Sequence, residues 1–335
     1  MISVQLQQPL LLEPLYFSYV WGAPIEESWV ISRFGRQTPP GLDRIAESWE
    51  IVALDAELSN KLLNTQEPAS TLYEVLLHNP RTILGTSGSL TKLPIIVKYL
   101  DVFERLSVQV HPDDATAERL GFGPSGKSEV WVVLDADPNA RIWAGFAKQV
   151  SRADVEEAIR SGELVSLLQE YTPRPGDCYF FPPGTVHAAQ GHLLIAEVQD
   201  ASQLTFRIFD WNRIGTGGRP RPLHIAEALE AIDYRQGPIR PVSLYDEKRT
   251  SGALRLPSGP KFILVHWRIE SPVTLTSEGR FLVISLLEGK LRVSGGSFEM
   301  TAGPGQTFLI PASVSSVSLS PIGGTAPACL EIRPR

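Results

Sequence analysis

Apolar and polar positions alternate along this chain in short runs, and Pro or Gly closes most of them. The stretches 95–99, 106–110, 130–134, 178–181 and 193–198 are rich in β-branched and aromatic residues. Short runs of this kind between frequent turn signals predict the strands of a sandwich or barrel. From 262 onward the pattern is almost purely β, through 262–268, 281–287, 290–293 and 307–310. Two stretches change period. Ser151 is an N-cap candidate with Asp154 three residues on, an imperfect capping box. Val155, Ala158, Ile159, Leu164, Leu167 and Leu168 then recur on a helical face, broken at Gly162. A second helix is expected after Pro222, over 225–232. Residues 236–256 are polar and irregular and read as a linker or a long connection.

One pattern occurs twice. Residues 175–188 read PGDCYFFPPGTVHA and residues 304–317 read PGQTFLIPASVSSV. Each has a Pro-Gly turn, a β run, then Pro and a turn of small residues. His187 falls opposite Ser316 in this register. The chain therefore divides into two β units, 1–240 and 241–335, of which only the first keeps a metal-capable residue at the echoed position.

Composition narrows the function classes. The 335 residues are 43% hydrophobic and 20% charged, enough for a large core. The formal net charge of −6 argues against nucleic acid or an anionic membrane as partner, since both ask for a basic face. A small anionic substrate remains compatible, because one phosphate needs only a local pair of cations. The two cysteines, Cys178 and Cys329, make no disulfide framework and fit a reducing cytoplasm. The N-terminal segment has no Lys or Arg before its apolar patch and is interrupted by Pro, so neither a signal peptide nor a membrane span is expected.

Four residues then carry the chemistry. Gln109 and His111 stand two apart in LSVQVHPDD, so a strand turns both to one face. Glu129 opens the β run of KSEVWVVL, and His187 follows Gly184-Thr185-Val186. Two imidazoles and a carboxylate in a β barrel make a metal site suited to zinc, with iron, manganese or cobalt as alternatives. Taken singly, each His is as well read as a hydrogen-bonded core residue. Gln109, a neutral ligand, is the weakest member on chemistry alone.

The stretches LPIIVKYLDVFERLSVQVHPDD, GKSEVWVVLDA, PGDCYFFPPGTVHA and LTFRIFDWNR resemble the type I phosphomannose isomerases, most of all their short bacterial class. AESWEI near the N-terminus resembles that family's segment beside the sugar. The resemblance runs from about residue 12 to the end and is strongest over 93–213. It implies a mainly β fold of two cupin-type (jelly-roll) barrels with a small helical insert. It implies interconversion of mannose 6-phosphate and fructose 6-phosphate through an enediol(ate), with one metal, usually zinc. It places the family's ligands on Gln109, His111, Glu129 and His187, a functional Lys on Lys127 and the active-site Arg on Arg207. The partners implied are the two sugar phosphates. The oligomer is left as monomer or homodimer. The alternatives are an isomerase of another sugar phosphate and a sugar-binding cupin without catalysis.

Lys127, two residues before Glu129, turns to the same side if Glu129 begins a strand, where burial and a neighbouring cation lower a lysine's pKa. Arg207 lies between apolar neighbours and must find a partner, because guanidinium stays charged. Trp49, Trp131 and Trp211 are candidates to face the sugar. Two departures from the family pattern stand out. Gln203 occupies a position, four before Arg207, where the family often has an acid, which leaves the proton-carrying base open among nearby acids such as Glu197 and Asp200. After AESWEI the chain continues VALDAELS, so contacts near Ala53–Asp55 are expected to differ.

Overall fold

The computed structural model describes residues 6–64, 70–85, 92–215, 218–245 and 252–335. Its strands form two sandwiches. The first pairs a seven-stranded sheet with a five-stranded one, and the second pairs a six-stranded sheet with a four-stranded one. The seven-stranded sheet has at its centre Glu129–Ala136, Leu193–Asp200 and Ile95–Val102, all antiparallel. The five-stranded sheet runs through Arg141–Phe146, His187–Gln190, Val108–Val110 and Phe206–Phe209. The fold is mainly β and of jelly-roll type, and its sheets remain open rather than closing into barrels.

Period 2 explains how these strands are both apolar and functional. On Ile95–Val102, Ile95, Val97 and Tyr99 turn outward into a core shared with the second sandwich, where they meet residues such as Phe262, Leu264, Leu309 and Ile332. Lys98 and Leu100 turn inward. The same division holds on Leu193–Asp200, with Leu194, Ala196 and Val198 outward and Glu197 and Gln199 inward. The five-stranded sheet lays Val108, Val110, Val186, Ala188, Phe206 and Ile208 against the helices Arg152–Ser161 and Ile225–Ala231. Gln109, His187 and Arg207, which alternate with them, face the interior of the sandwich.

The helix after Ser151 has its capping box and stops at Ser161, at the break expected at Gly162, so Leu164, Leu167 and Leu168 lie outside it. Gly162 takes a left-handed conformation (φ 78°), Leu164–Leu167 form a 3-10 turn, and Leu168 opens a strand. The run 236–256 is no simple linker. Val242–Ser243 pairs with Asp177 and Cys178 in the first sandwich, and Gly252–Leu256 pairs along Leu264–Arg268 in the second. Residues 246–251 lie outside the described residues. In return, Leu10–Leu11 joins the second sandwich beside Thr307–Ile310. The echoed segments fold alike, as Asp177–Phe181 with His187–Gln190 and as Thr307–Ile310 with Ser316–Ile322.

Candidate metal centre and its cavity

Strand register assembles the centre. His187 stands opposite Gln109, and Arg207 stands opposite Gln109 from the other side, so the three form one row across the five-stranded sheet. Glu129 enters from the first position of its strand in the facing sheet. Its carboxylate lies 2.9 Å from His187 Nε2 and 3.3 Å from His111 Nε2, and all three side chains are buried. The amide end of Gln109 is 3.2 Å from His187 Nε2. A half-turn of that amide exchanges its nitrogen for its oxygen at the same place.

The protonation pattern fits a cation. Nδ1 of His111 donates to the Leu204 carbonyl at 2.9 Å, and Nδ1 of His187 donates to the Thr185 carbonyl at 3.0 Å. In a neutral imidazole the Nε2 lone pairs then point into the cluster. Burial, followed by Lys127, pushes the His111 pKa down to about 3, so that ring is neutral at pH 7. Burial alone would raise the Glu129 carboxyl, but Lys127, His111 and His187 together hold it well below the usual carboxylate range. His111 Nε2 and Glu129 Oε1 form no hydrogen bond despite being buried. Such orphaned acceptors are costly unless a cation lies among them. His111, Glu129 and His187 can therefore hold a metal, and theirs is the only such group among the described residues.

The cluster opens on a cavity of about 280 Å³. Charge alternates along its floor. Lys127 Nζ is 2.8 Å from Glu129 and 3.8 Å from Glu197. Lys98 Nζ is 3.2 Å from Glu197 and 3.2 Å from Glu47. Trp131 Nε1 donates to Glu197, and Trp49 Nε1 donates to Glu47. Burial and the neighbouring Glu129 outweigh the lysines at Glu197 and leave its pKa raised. Lys98 and Glu47 were not among the residues singled out from sequence. The signal for Lys98 was a lysine inside the apolar run LPIIVKYL, since a buried Lys requires an acidic partner.

Cations line the mouth. Arg207 and Arg221 both border the cavity. Arg221 makes a forked contact with Asp210, which Arg213 also contacts. Two guanidinium groups thus share one carboxylate. Arg207 donates to the Pro222 carbonyl, while its buried Nε has no partner. Trp49 and Trp131 line the cavity, whereas Trp211 packs behind it on Trp143 and Arg105. Gln203 borders the cavity, but Asp200 does not, because its carboxylate is engaged by Ser128. Ala53–Asp55 also lie outside the lining, and the Asp55 carboxylate accepts from the Glu57 and Leu58 amides.

A jelly-roll fold with a buried histidine–carboxylate cluster that can hold a metal, facing a polar cavity, defines a cupin-type protein. Comparison with known proteins sharpens that class. Residues 10–128 match the model of the phosphomannose isomerase type I catalytic domain, and 254–326 match that of the mannose-6-phosphate isomerase cupin domain. The chain belongs to the type I phosphomannose isomerase family. It is 28% identical over 312 residues to the mannose-6-phosphate isomerase ManA of Bacillus subtilis (strain 168), covering 93% of this chain and 96% of that protein. The crystal structure of the mannose 6-phosphate isomerase from Bacillus subtilis superposes with a TM-score of 0.80 at 25% identity, over 97% of this chain and 99% of the other. A putative mannosephosphate isomerase from Archaeoglobus fulgidus shares the fold, with a TM-score of 0.79 at 19% identity, over 99% and 100% of the two chains. No helix among the described residues is long and apolar enough to cross a membrane.

Proposed function

We propose that this protein interconverts mannose 6-phosphate and fructose 6-phosphate at one divalent metal, zinc being the best fit to the donor set. The observation that carries this reading is the buried His111–Glu129–His187 cluster at the end of a cavity bordered by two arginines. Gln109, His111, Glu129 and His187 would hold the ion. The metal supplies, when bound, a fixed positive charge beside the sugar oxygens on which negative charge develops. The protein's own groups do the rest. Arg207 and Arg221 grip the phosphate and fix the sugar in the cavity, a task to which forked donors are suited. Trp49 and Trp131 pack on the sugar's apolar faces. Lys127 and Lys98 donate to the sugar hydroxyls and stabilise the enediolate. Glu197, held between the two lysines, removes the proton from C2 and returns it to C1. The chemistry thus lies within residues 1–240, and residues 241–335 complete the fold.

The test is turnover of mannose 6-phosphate before and after chelation, with zinc added back. Activity that survives complete metal removal would sink the metal reading. Gln203 at the cavity wall motivates one alternative, an isomerase of another sugar phosphate. A panel of aldose phosphates separates the two, and incorporation of solvent deuterium at the sugar carbon excludes a purely binding protein.

A further inference from the structure

Behind the site, on the outer face of the seven-stranded sheet, lies a polar cluster that the proposed reaction does not use. Ser128 stands between Lys127 and Glu129, so its side chain points away from the cavity. Its amide and its hydroxyl both donate to Oδ2 of Asp200, at 3.0 and 2.9 Å, and its carbonyl accepts from the Asp200 amide at 3.0 Å. Asp200 is buried and ends the strand that carries Glu197. The second sandwich closes over this ring. Gly259 approaches so tightly that a Cβ there would lie 2.1 Å from Ser128 Oγ. Lys261 Nζ lies 2.9 Å from Asp114 Oδ1 and 3.9 Å from Asp200 Oδ2. Asp114 Oδ1 also accepts from the Gly126 amide at 2.7 Å, and the Lys127 amide donates to the Pro112 carbonyl at 3.0 Å. The segment after His111 and the segment before Glu129 are thereby tied to each other, and one lysine of the second sandwich reaches Asp114 on the first and Asp200, the partner of Ser128.

We infer that Lys261, Gly259 and Asp200 are positioning residues, through which the second sandwich sets the aim of Lys127 and Glu129 by gripping Ser128 from behind. The roles of Lys127 and Glu129 in this inference rest on the reading proposed above. Fixing the residue between them by its amide, hydroxyl and carbonyl leaves Lys127 and Glu129 little freedom to swing. Without the lysine, the carboxylates of Asp114 and Asp200 repel one another across the clasp. Partners hydrogen-bonded directly to ligating side chains change metal affinity by about 10- to 100-fold when removed, and a clasp one residue away from Glu129 is expected at the lower end of that range.

The experiment compares Lys261→Met, Lys261→Arg and Asp200→Asn in the full chain. Zinc affinity is read by competition with a chromophoric chelator, and kcat and KM are read with mannose 6-phosphate. Lys261→Met is expected to weaken zinc binding about tenfold and to lower kcat with KM within about twofold. Lys261→Arg, which keeps the charge, recovers most of both. Amide exchange at Ser128 in the metal-free chain rises about tenfold in Lys261→Met, a readout that needs neither metal nor substrate. A wild-type chain that bound no zinc would count against the metal reading, while Ser128 exchange would still decide this one. Should Lys261→Met fail to fold, Ser128→Ala removes only the hydroxyl bond and is expected to move zinc affinity in the same direction by a smaller factor. Folded variants with wild-type zinc affinity and wild-type Ser128 exchange overturn the inference, as does a loss confined to melting temperature.

Discussion

At the scale of single residues, the centre depends on each donor pointing its free lone pair inward. His187→Ala removes one nitrogen and leaves Glu129 and His111 facing an incomplete shell. Metal content by elemental analysis is expected to fall below one per chain, and turnover of mannose 6-phosphate to fall on the order of 10³-fold with it. Retention of one metal per chain would show that the ligands are elsewhere. Arg207 and Arg221 behave differently. With Arg221 in its proposed phosphate-gripping role, Arg221→Ala is expected to raise KM by roughly tenfold or more while moving kcat less, because phosphate contacts away from the reacting carbons bind ground and transition states alike. The grouping of His111, Glu129 and His187 was legible from residue type and spacing, while Gln109 is proposed as a ligand on the family resemblance. Lys98 and Glu47 were not singled out, because their partnership spans strands distant in the chain. His266, in the second sandwich, gives a prediction about pH. Burial, with Arg268 adding to it, lowers its pKa to about 4. The unfolded chain takes up this proton near pH 6.5 and the folded one only near 4. The associated stability is complete above about pH 6.5 and is lost as the pH falls toward 4. Between pH 7 and 4.5 wild type should lose about 2 kcal/mol more than His266→Leu, measured by urea unfolding at the two values.

At the scale of elements, local signals served best where local chemistry decides the structure. The capping box of Ser151 and Asp154 is present, with the Ser151 hydroxyl accepting from the Asp154 amide and the Asp154 carboxylate accepting from the Ser151 amide. Ser151→Ala should cost about 1 kcal/mol, read as a drop of a few degrees in melting temperature. The helix ends at the expected break, because Gly162 turns the backbone left-handed there, even though Leu164, Leu167 and Leu168 keep a helical spacing beyond it. Gly252–Leu256 was read as linker because it is an edge strand. Only Leu256 is fully buried, so its sequence lacks the apolar run that marks the central strands. A turn matters to the site at Gly184, whose φ is 85° and whose amide donates to the His111 carbonyl at 2.8 Å. A Cβ there would sit 2.8 Å from the Asp233 amide nitrogen. Gly184→Ala must therefore shift the turn that delivers His187, and it is expected to destabilise the fold by about 1–3 kcal/mol and to weaken zinc binding together. A chelator competition alongside a thermal melt checks both.

At the scale of the whole molecule, the echo of 175–188 in 304–317 announced two related β units, but not how they dock. Docking depends on which face of each strand is covered. The central strands are apolar on the outward face and carry the site on the inward one, a division that appears only when pairing partners are known. The same geometry would give a bound metal a structural role. Gln109 and His187 belong to the five-stranded sheet, His111 follows a strand of that sheet, and Glu129 belongs to the seven-stranded sheet. An ion held by all four joins the two sheets of the first sandwich at one end, where the lone pairs of His111, His187 and Glu129 otherwise crowd without a cation. Anything that binds only the folded state adds stability by mass action, about 3 kcal/mol when free metal is a hundredfold above its dissociation constant. For a chain of this size that corresponds to roughly 5 °C or more in melting temperature. Stripping the metal with a chelator should lower the first thermal transition by this amount, and zinc should restore it. His187→Ala should melt close to the stripped wild type and respond little to chelator, because it has already lost the bridge. A melting temperature indifferent to chelation, in a chain whose activity is abolished by it, would mean that the ion is held from one sheet alone.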